Sequence, residues 1–392
     1  MTTTSVPPFG GITARIHNPA QLIAAVPHLL GFRPTGSLVV IGLDGTTGGH
    51  MGPLIRADLP KDAHARDLAV SFANAVRGQP GRAFTFLIVG RHPDDSPPPG
   101  QLPHTRLVIE LVLAFDRIGK VVDRVLFTPE IRAGTPWTCY HERGCAGVIP
   151  DDASTTVAAT LALMGFVTFD SRAEMERQLD PDDPAAVAGR ASLLRDLGGT
   201  PDSSDDPASG GASGDTPGER AGGSSFAEAS DKVVDASIRK ALHAVRELLD
   251  QAVQGPVALT DGQVVRLALA LSHRSVRDAC LATALPPASE RSMRIEALWR
   301  ELVRKTPAPH RAEPATLLGY SAYLRGDGAF ARAAFHNALE AMPKHTLAGL
   351  LLRCLDSTMA PDRLRELGHP EDLAKLLGPV VPAPPAAPGD GP

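Results

Sequence analysis

From 198 to 225 the chain contains no Val, Ile, Leu, Met, Phe, Trp, Tyr or Cys, and a stretch with nothing apolar to bury cannot offset the entropy of ordering itself. That gap divides the 392 residues into two candidate folded parts, each long enough to bury its own core. The pattern assigns 1–17 to a disordered N-terminus, 18–197 to an α/β domain, 198–225 to a disordered linker, 226–377 to a helical domain and 378–392 to a disordered Pro-rich tail. The tail, GPVVPAPPAAPGDGP, has the composition of an extended segment.

The first part is organised around Leu22 to Leu43, LIAAVPHLLGFRPTGSLVVIGL. Asn18 is placed to cap a helix, with Pro19 at its first position and Gln21 at its third. Leu22, Val26, Leu29 and Leu30 fall on one face. Pro27 removes an amide from that pattern and predicts a kink or break near residues 23–27, and Gly31 is the stop. Ser37–Leu43 reads as a strand buried on both faces. Met51–Leu59 reads as its hairpin partner, set at an edge by Pro53. A helix over Lys61–Val76, a strand over Ala83–Gly90, a helix over Leu102–Ile118 and a closing strand over Val121–Thr128 complete the series. Strands alternating with helices after an initial hairpin predict an α/β domain with a mixed, partly parallel sheet and flanking helices. Trp137–Pro150 reads as irregular, 151–165 as helical, and Ser171 with Glu174 as a capping box.

Beyond the gap only helices are expected, giving an all-α C-terminal domain. Val234, Ile238, Ala241, Val245, Leu248 and Ala252 recur at helical spacing, Thr260 and Gln263 form a capping box, and Ile295, Leu298, Trp299 and Leu302 mark an amphipathic helix. The segment LLGYSAYLRGDGAFARAAFHNALEAMP fits the tetratricopeptide template, with Leu318 and Gly319 on one helix, Ala331, Phe335 and Ala338 on the next and Pro343 as terminator. Small residues let the two helices approach while Phe335 wedges between them. Such a tetratricopeptide-like hairpin either packs into an ordinary bundle or offers Tyr320, Tyr323 and Phe335 to a protein or peptide partner.

Composition narrows the partners. With 39 basic and 44 acidic residues, a formal net charge of −5 and no Lys/Arg block, nucleic acid is not the expected partner. Four cysteines, at 139, 145, 280 and 354, are too few for a disulfide framework and suit a reducing cytoplasm. There is no signal-like start and no apolar run of about 18 residues, so no membrane span is expected.

Three constellations carry candidate chemistry. Cys139, His141 and Cys145, beside Trp137 and Tyr140, are soft ligands that could hold zinc with a fourth group from elsewhere. The same cysteines also fit a packing role, and a nucleophilic cysteine served by His141 or a more distant histidine and oriented by an acidic residue such as Glu142 is a third reading. The turn Gly31–Ser37, GFRPTGS, offers backbone amides, Arg33, Thr35 and Ser37 to an anion, although Gly31, Pro34 and Gly36 equally suit a structural corner. Arg56 and Asp58 at a strand end either pair in solvent or line a cleft. Arg291, Arg294, Arg300 and Arg304 interleaved with Glu290, Glu296 and Glu301 read as a solvated helix face.

The opening LIAAVPHLLGFRPTGSLVVIGL, the strand end RADLP, WTCY followed by Cys145, LMGF before SRAEME, and the C-terminal LLGYSAYLRGDGAFARAAFHNALEAMPKHTLAGLLL together resemble the actinobacterial family known as domain of unknown function 4192. The resemblance covers about 18–180 and 310–356. Members often carry a second cysteine and a proline where this chain has Ala146 and Gly147, a departure that weakens the zinc reading. The resemblance implies no activity, substrate or cofactor. Two expectations follow from the sequence. One is a non-catalytic cytoplasmic adaptor or regulator acting through its helices. The other is a small-molecule-binding protein or enzyme with a site between Gly31–Ser37, Asp58 and Trp137–Cys145.

Overall fold

The structure, a computed structural model, describes residues 4–5, 15–16, 18–43, 51–78, 83–92, 100–141, 144–163, 165–197, 240–357 and 359–368. The linker expected at 198–225, the tail expected at 378–392 and most of the N-terminus expected at 1–17 lie outside the described residues. The chain divides into two compact units, one holding Met1–Arg177 with Asp356–Met359, the other Gln178–Leu355 with Ala360–Pro392. The helix at 184–196, grouped on sequence with the first part, therefore belongs to the second unit.

In chain order the first unit contains the short pair β1 (Thr4–Ser5) and β2 (Arg15–Ile16), then α1 (Pro19–Leu30), β3 (Ser37–Leu43), β4 (Met51–Asp58), α2 (Ala65–Val76), β5 (Ala83–Val89), α3 (Thr105–Arg117), β6 (Val121–Thr128), β7 (Pro136–Cys139), β8 (Ala146–Val148), α4 (Thr156–Leu163) and α5 (Arg172–Glu176). Strands three to eight form one sheet in the order β4-β3-β5-β6-β7-β8. Among the described strands its one parallel pair is β5 with β6, joined across α3; the other described neighbours run antiparallel. Pro53 lies on the edge strand, as expected. It packs so close to Gly42 that a Cβ there would meet its Cδ at 2.7 Å, and the β3–β4 register shifts at that point.

Two expectations are corrected. Of the kink or break expected near Pro27, the break does not occur: α1 runs without interruption from Pro19 to Leu30. Leu22 through Pro27 are all buried, so tertiary burial outweighs the one lost backbone bond. Asn18 caps the helix, accepting from the Gln21 amide at 2.9 Å, and Gly31 ends it at φ 76°. Secondly, Val121–Thr128 is a strand as expected, but the sheet continues beyond it. The segment read as irregular supplies β7 and β8, whose four and three residues are too short to leave a period-2 signal.

Alternation along the strands sorts the core. Leu38, Val40, Phe84, Phe86, Ile88 and Val125 pack with Phe72 of α2 and Leu107, Leu111 and Phe115 of α3. Val39, Ile41, Leu87, Val89 and Leu126 point the other way and are equally buried. The buried side of α1 supplies the matching surface there, since Phe32, just past its end, lies over the Arg56 guanidinium on that face at 5.8 Å.

The second unit is helical: α6 (Pro184–Asp196), α7 (residues 240–254), α8 (Asp261–Leu271), α9 (Arg274–Leu281), α10 (Glu290–Lys305), α11 (Ala312–Leu324), α12 (Gly328–Ala341) and α13 (Thr346–Asp356). Every residue of α11 is buried, which makes it the central helix of the unit. Gly326, at φ 92°, turns the chain, and Asp327 caps α12 by accepting from the Phe330 amide at 2.9 Å. Glu296 was expected on a solvated face but is 8% exposed. It accepts from Ser321 Oγ at 2.8 Å and from Arg325 Nε at 3.1 Å, so the buried carboxylate is neutralised where α10 meets α11.

Phe335 is wholly buried against Gly319, where an added Cβ would meet its Cε1 at 2.5 Å. Gly319→Ala is expected to lower stability by about 1–3 kcal/mol in denaturant unfolding, even though alanine is the better helix former by about 1 kcal/mol. A variant as stable as the parent would show that Phe335 is not fixed in place.

Candidate functional site

The polar groups of the first unit collect at one end of the sheet. Register sets Asp58 opposite Ser37, Ser37 opposite Val89, and Val89 opposite Thr128. The carboxyl ends of β4, β5 and β6 therefore share one rim, the position at which open α/β sheets hold ligands. Ser37 is fully buried. Its hydroxyl donates to the Thr35 carbonyl at 2.7 Å and accepts from Arg56 Nε at 2.9 Å and Nη2 at 2.7 Å. Arg56 Nη2 also reaches Asp58 Oδ1 at 2.5 Å. The two ends of that ion pair differ sharply: the Arg56 side chain is 12% exposed and that of Asp58 is 75% exposed. Burial pulls the Arg56 pKa below its usual value, and the Asp58 charge only partly opposes this. The guanidinium is thus a sunken cation whose counter-charge sits in water.

A second cluster ties down the turn that leads to this rim. Arg33 Nη2 binds Asp152 Oδ2 at 2.8 Å and its Nη1 donates to the Ile131 carbonyl, while its buried Nε has no hydrogen-bond partner. The backbone adds Arg33 N to Phe169 O and Phe169 N to Gly31 O, both at 2.9 Å. In the last turn of α1, His28 Nε2 faces two oxygens of Asp152, the carbonyl at 3.2 Å and Oδ2 at 3.5 Å. Both are acceptors, so Nε2 carries the proton and Nδ1 accepts from Thr168 Oγ1 at 2.8 Å. Burial lowers the His28 pKa more strongly than Asp152 raises it.

Of the residues singled out on sequence, Ser37, Arg56 and Asp58 form one contact group. Thr35 adds its carbonyl, and Arg33 braces the turn. The Trp137 segment stands apart. The strand pairing that sets Cys139 opposite Leu126, carried two residues on, puts Trp137 on the same rim row as Thr128. That is three strand spacings from Ser37, roughly 14 Å. Trp137 is buried, and its Nε1 has no partner; a Cβ on Gly147 would meet that nitrogen at 2.9 Å. Tyr140 packs against the α2–α3 core on the opposite face and donates to the Pro103 carbonyl at 2.5 Å. Cys139 is buried, Cys145 half-buried and His141 exposed. Among the described residues no three His, Cys, Asp or Glu side chains are grouped to hold a metal ion.

In the second unit Tyr320, Tyr323 and Phe335 are core residues, at 0%, 3% and 0% exposure. Tyr320 donates to the Leu364 carbonyl at 2.8 Å, and burial pushes its pKa up to about 12. The three side chains expected to meet a partner are occupied with one another's helices. A shallow cleft beside α10 is lined by Arg294, Arg300, Glu301 and Arg304. Two of those arginines are already committed, Arg294 to Glu290 and Arg304 to Asp182.

His28, Asp152 and Thr168 were not singled out on sequence. They lie 124 and 140 residues apart along the chain, and no local pattern joins them.

Together these features define a class: a mixed α/β unit with an arginine-centred rim at the carboxyl ends of its strands, followed by a helical unit with a closed core. Among the described residues no helix is long and apolar enough to cross a membrane. The chain belongs to the family of the domain of unknown function (DUF4192), whose model matches residues 19–362. No curated protein and no solved structure matches it.

The depressed His28 pKa sets a pH dependence. The unfolded chain takes up the proton first as pH falls from about 6.5, so stability held at neutral pH by the uncharged ring is lost as pH drops through the lower folded value. His28→Gln should remove that component. Denaturation midpoints between pH 7.5 and 5 should fall less steeply in the variant than in the parent, and parallel slopes would refute the assignment.

Proposed function

We propose that the first unit binds a small anion, a phosphate- or carboxylate-bearing molecule, at Arg56. The observation that supports this reading is the asymmetry of the Arg56–Asp58 pair. The guanidinium is fixed by Ser37 and the Phe32 ring, whereas the Asp58 carboxylate is mostly hydrated. Exchanging a solvated carboxylate for a ligand oxyanion leaves the buried cation paired throughout and supplies a charge-assisted hydrogen bond. Ser37 is a positioning group in this scheme, because its hydroxyl already donates to Thr35 and accepts from Arg56. That favours binding over catalysis at this rim. The adaptor reading would need a surface other than Tyr320, Tyr323 and Phe335, since all three are buried.

Calorimetric titration of the full chain with inorganic phosphate and with malonate tests the proposal. Binding at about 1 mM or tighter is expected for one of them. Asp58→Asn removes the competing carboxylate from an exposed position and should tighten it roughly threefold to tenfold. Arg56→Gln should abolish it, with circular dichroism confirming that the variant is folded. Absence of binding to both the parent and Asp58→Asn would overturn the reading.

A further inference from the structure

The β7–β8 hairpin places two cysteines face to face. Pro136 pairs with Val148, Trp137 with Gly147 and Thr138 with Ala146, and the next step of that register sets Cys139 opposite Cys145. The backbone bears this out, since the Cys139 amide donates to the Cys145 carbonyl at 2.9 Å. Directly opposed residues of an antiparallel pair carry their side chains on the same face, with Cα atoms about 5.5 Å apart at a hydrogen-bonded position. That Cα spacing falls inside the range a disulfide spans, roughly 4.4–6.8 Å, while the Cβ atoms of such a pair, about 5.5 Å apart, must draw together by about 1 Å to reach the separation of a formed bridge. Neither residue is in a disulfide in this structure.

We propose that Cys139 and Cys145 form an oxidisable thiol pair, a covalent modification site across the β7–β8 pair. The two sulfurs differ in access. Cys145 is half-buried and reachable, while Cys139 is 8% exposed, which suits an attacking thiol and a resolving thiol. With a peroxide as oxidant, the Cys145 thiolate attacks one peroxide oxygen. The O–O bond breaks, and the departing hydroxide takes up a proton to leave as water. The resulting sulfenic acid is attacked at sulfur by Cys139, the S–O bond breaks, and a second water leaves with the remaining protons. Two thiols and one peroxide thus give one disulfide and two waters.

The remaining cysteines do not compete on the same terms. Cys280 is buried in α9, and burial with the nearby Asp278 charge pushes its thiol up to about 12, which suppresses the nucleophilic thiolate. Cys354 lies on α13, a helix with no second cysteine. The cross-link would also act beside a crowded packing contact, because the hairpin seats the Trp137 ring on Gly147.

The sequence supplies a clean assay. Arg143 lies between the two cysteines, so trypsin cuts the loop and only a disulfide holds the two peptides together. Full-length reduced protein treated with hydrogen peroxide should fall from four titratable thiols to two, and its digest should contain a Cys139–Cys145 linked pair that separates on reduction. Cys354→Ser should give the same linked pair, and Cys145→Ser should give none. Retention of all four thiols, a linkage through Cys354, or over-oxidation of one cysteine without linkage would overturn the proposal.

Discussion

Strand β3 has no solvent-facing side. Leu38, Val39, Val40 and Ile41 are fully buried, and a strand in that position needs cover on both faces of its sheet. Helices α2 and α3 cover one face. On the other the chain brings up α1, joined to β3 by only six residues, so the turn between them must reverse direction inside a crowded corner. Gly31 and Gly36 take positive φ to do this. Arg33, in that turn, is fastened to Ile131 and Asp152. The polar groups at the rim are a consequence of burying β3: excluded from both faces of the sheet, they gather where its strands end.

The helical unit solves the same problem differently. With α11 buried along its whole length, its polar side chains cannot face water and must be satisfied inside. Glu296 with Ser321 and Arg325 does this on one side. On another, Glu313 lies 3.5 Å from Arg277 and 3.1 Å from His345 Nε2, near enough to pair charges though not aligned for a hydrogen bond to that nitrogen, while His345 Nδ1 caps α13 by accepting from the Ala348 amide at 3.1 Å. Such pairs add little net stability compared with apolar residues of the same shape, but removing one partner strands the other. Their effect is to fix which helix faces meet.

What was legible in the sequence was local. The Asn18 cap, the Gly31 stop, the doubly buried β3 and the edge position of Pro53 each rest on residues within a turn or two of one another. The hairpin at 136–148 was missed because its strands are shorter than the pattern that would reveal them. The cluster of His28, Asp152 and Thr168 was missed because only tertiary folding brings its members together. The C-terminal aromatics teach something different. The reasoning that small residues admit a close helix partner and that Phe335 wedges between the helices describes an internal contact, and the 2.5 Å clash at Gly319 is that contact. A residue chosen for such a fit is already spent on the core, so the same pattern could not also mark a partner surface.

The limits of the family match bear on where function resides. It begins at Pro19, the first residue of α1, and ends at Asp362, so the inherited module takes in both the α1–β3 corner and the α11 core. A binding rim alone would need only the sheet and its covering helices. The sunken Arg56 explains how the first unit can hold an anion, but it gives no reason for a helical unit to be part of the same module. Since the second unit hides its described aromatic side chains inside while Arg300 and most of its other charged side chains stay at the surface, any contact it makes would be through that polar outer surface rather than through the hairpin that makes its sequence recognisable.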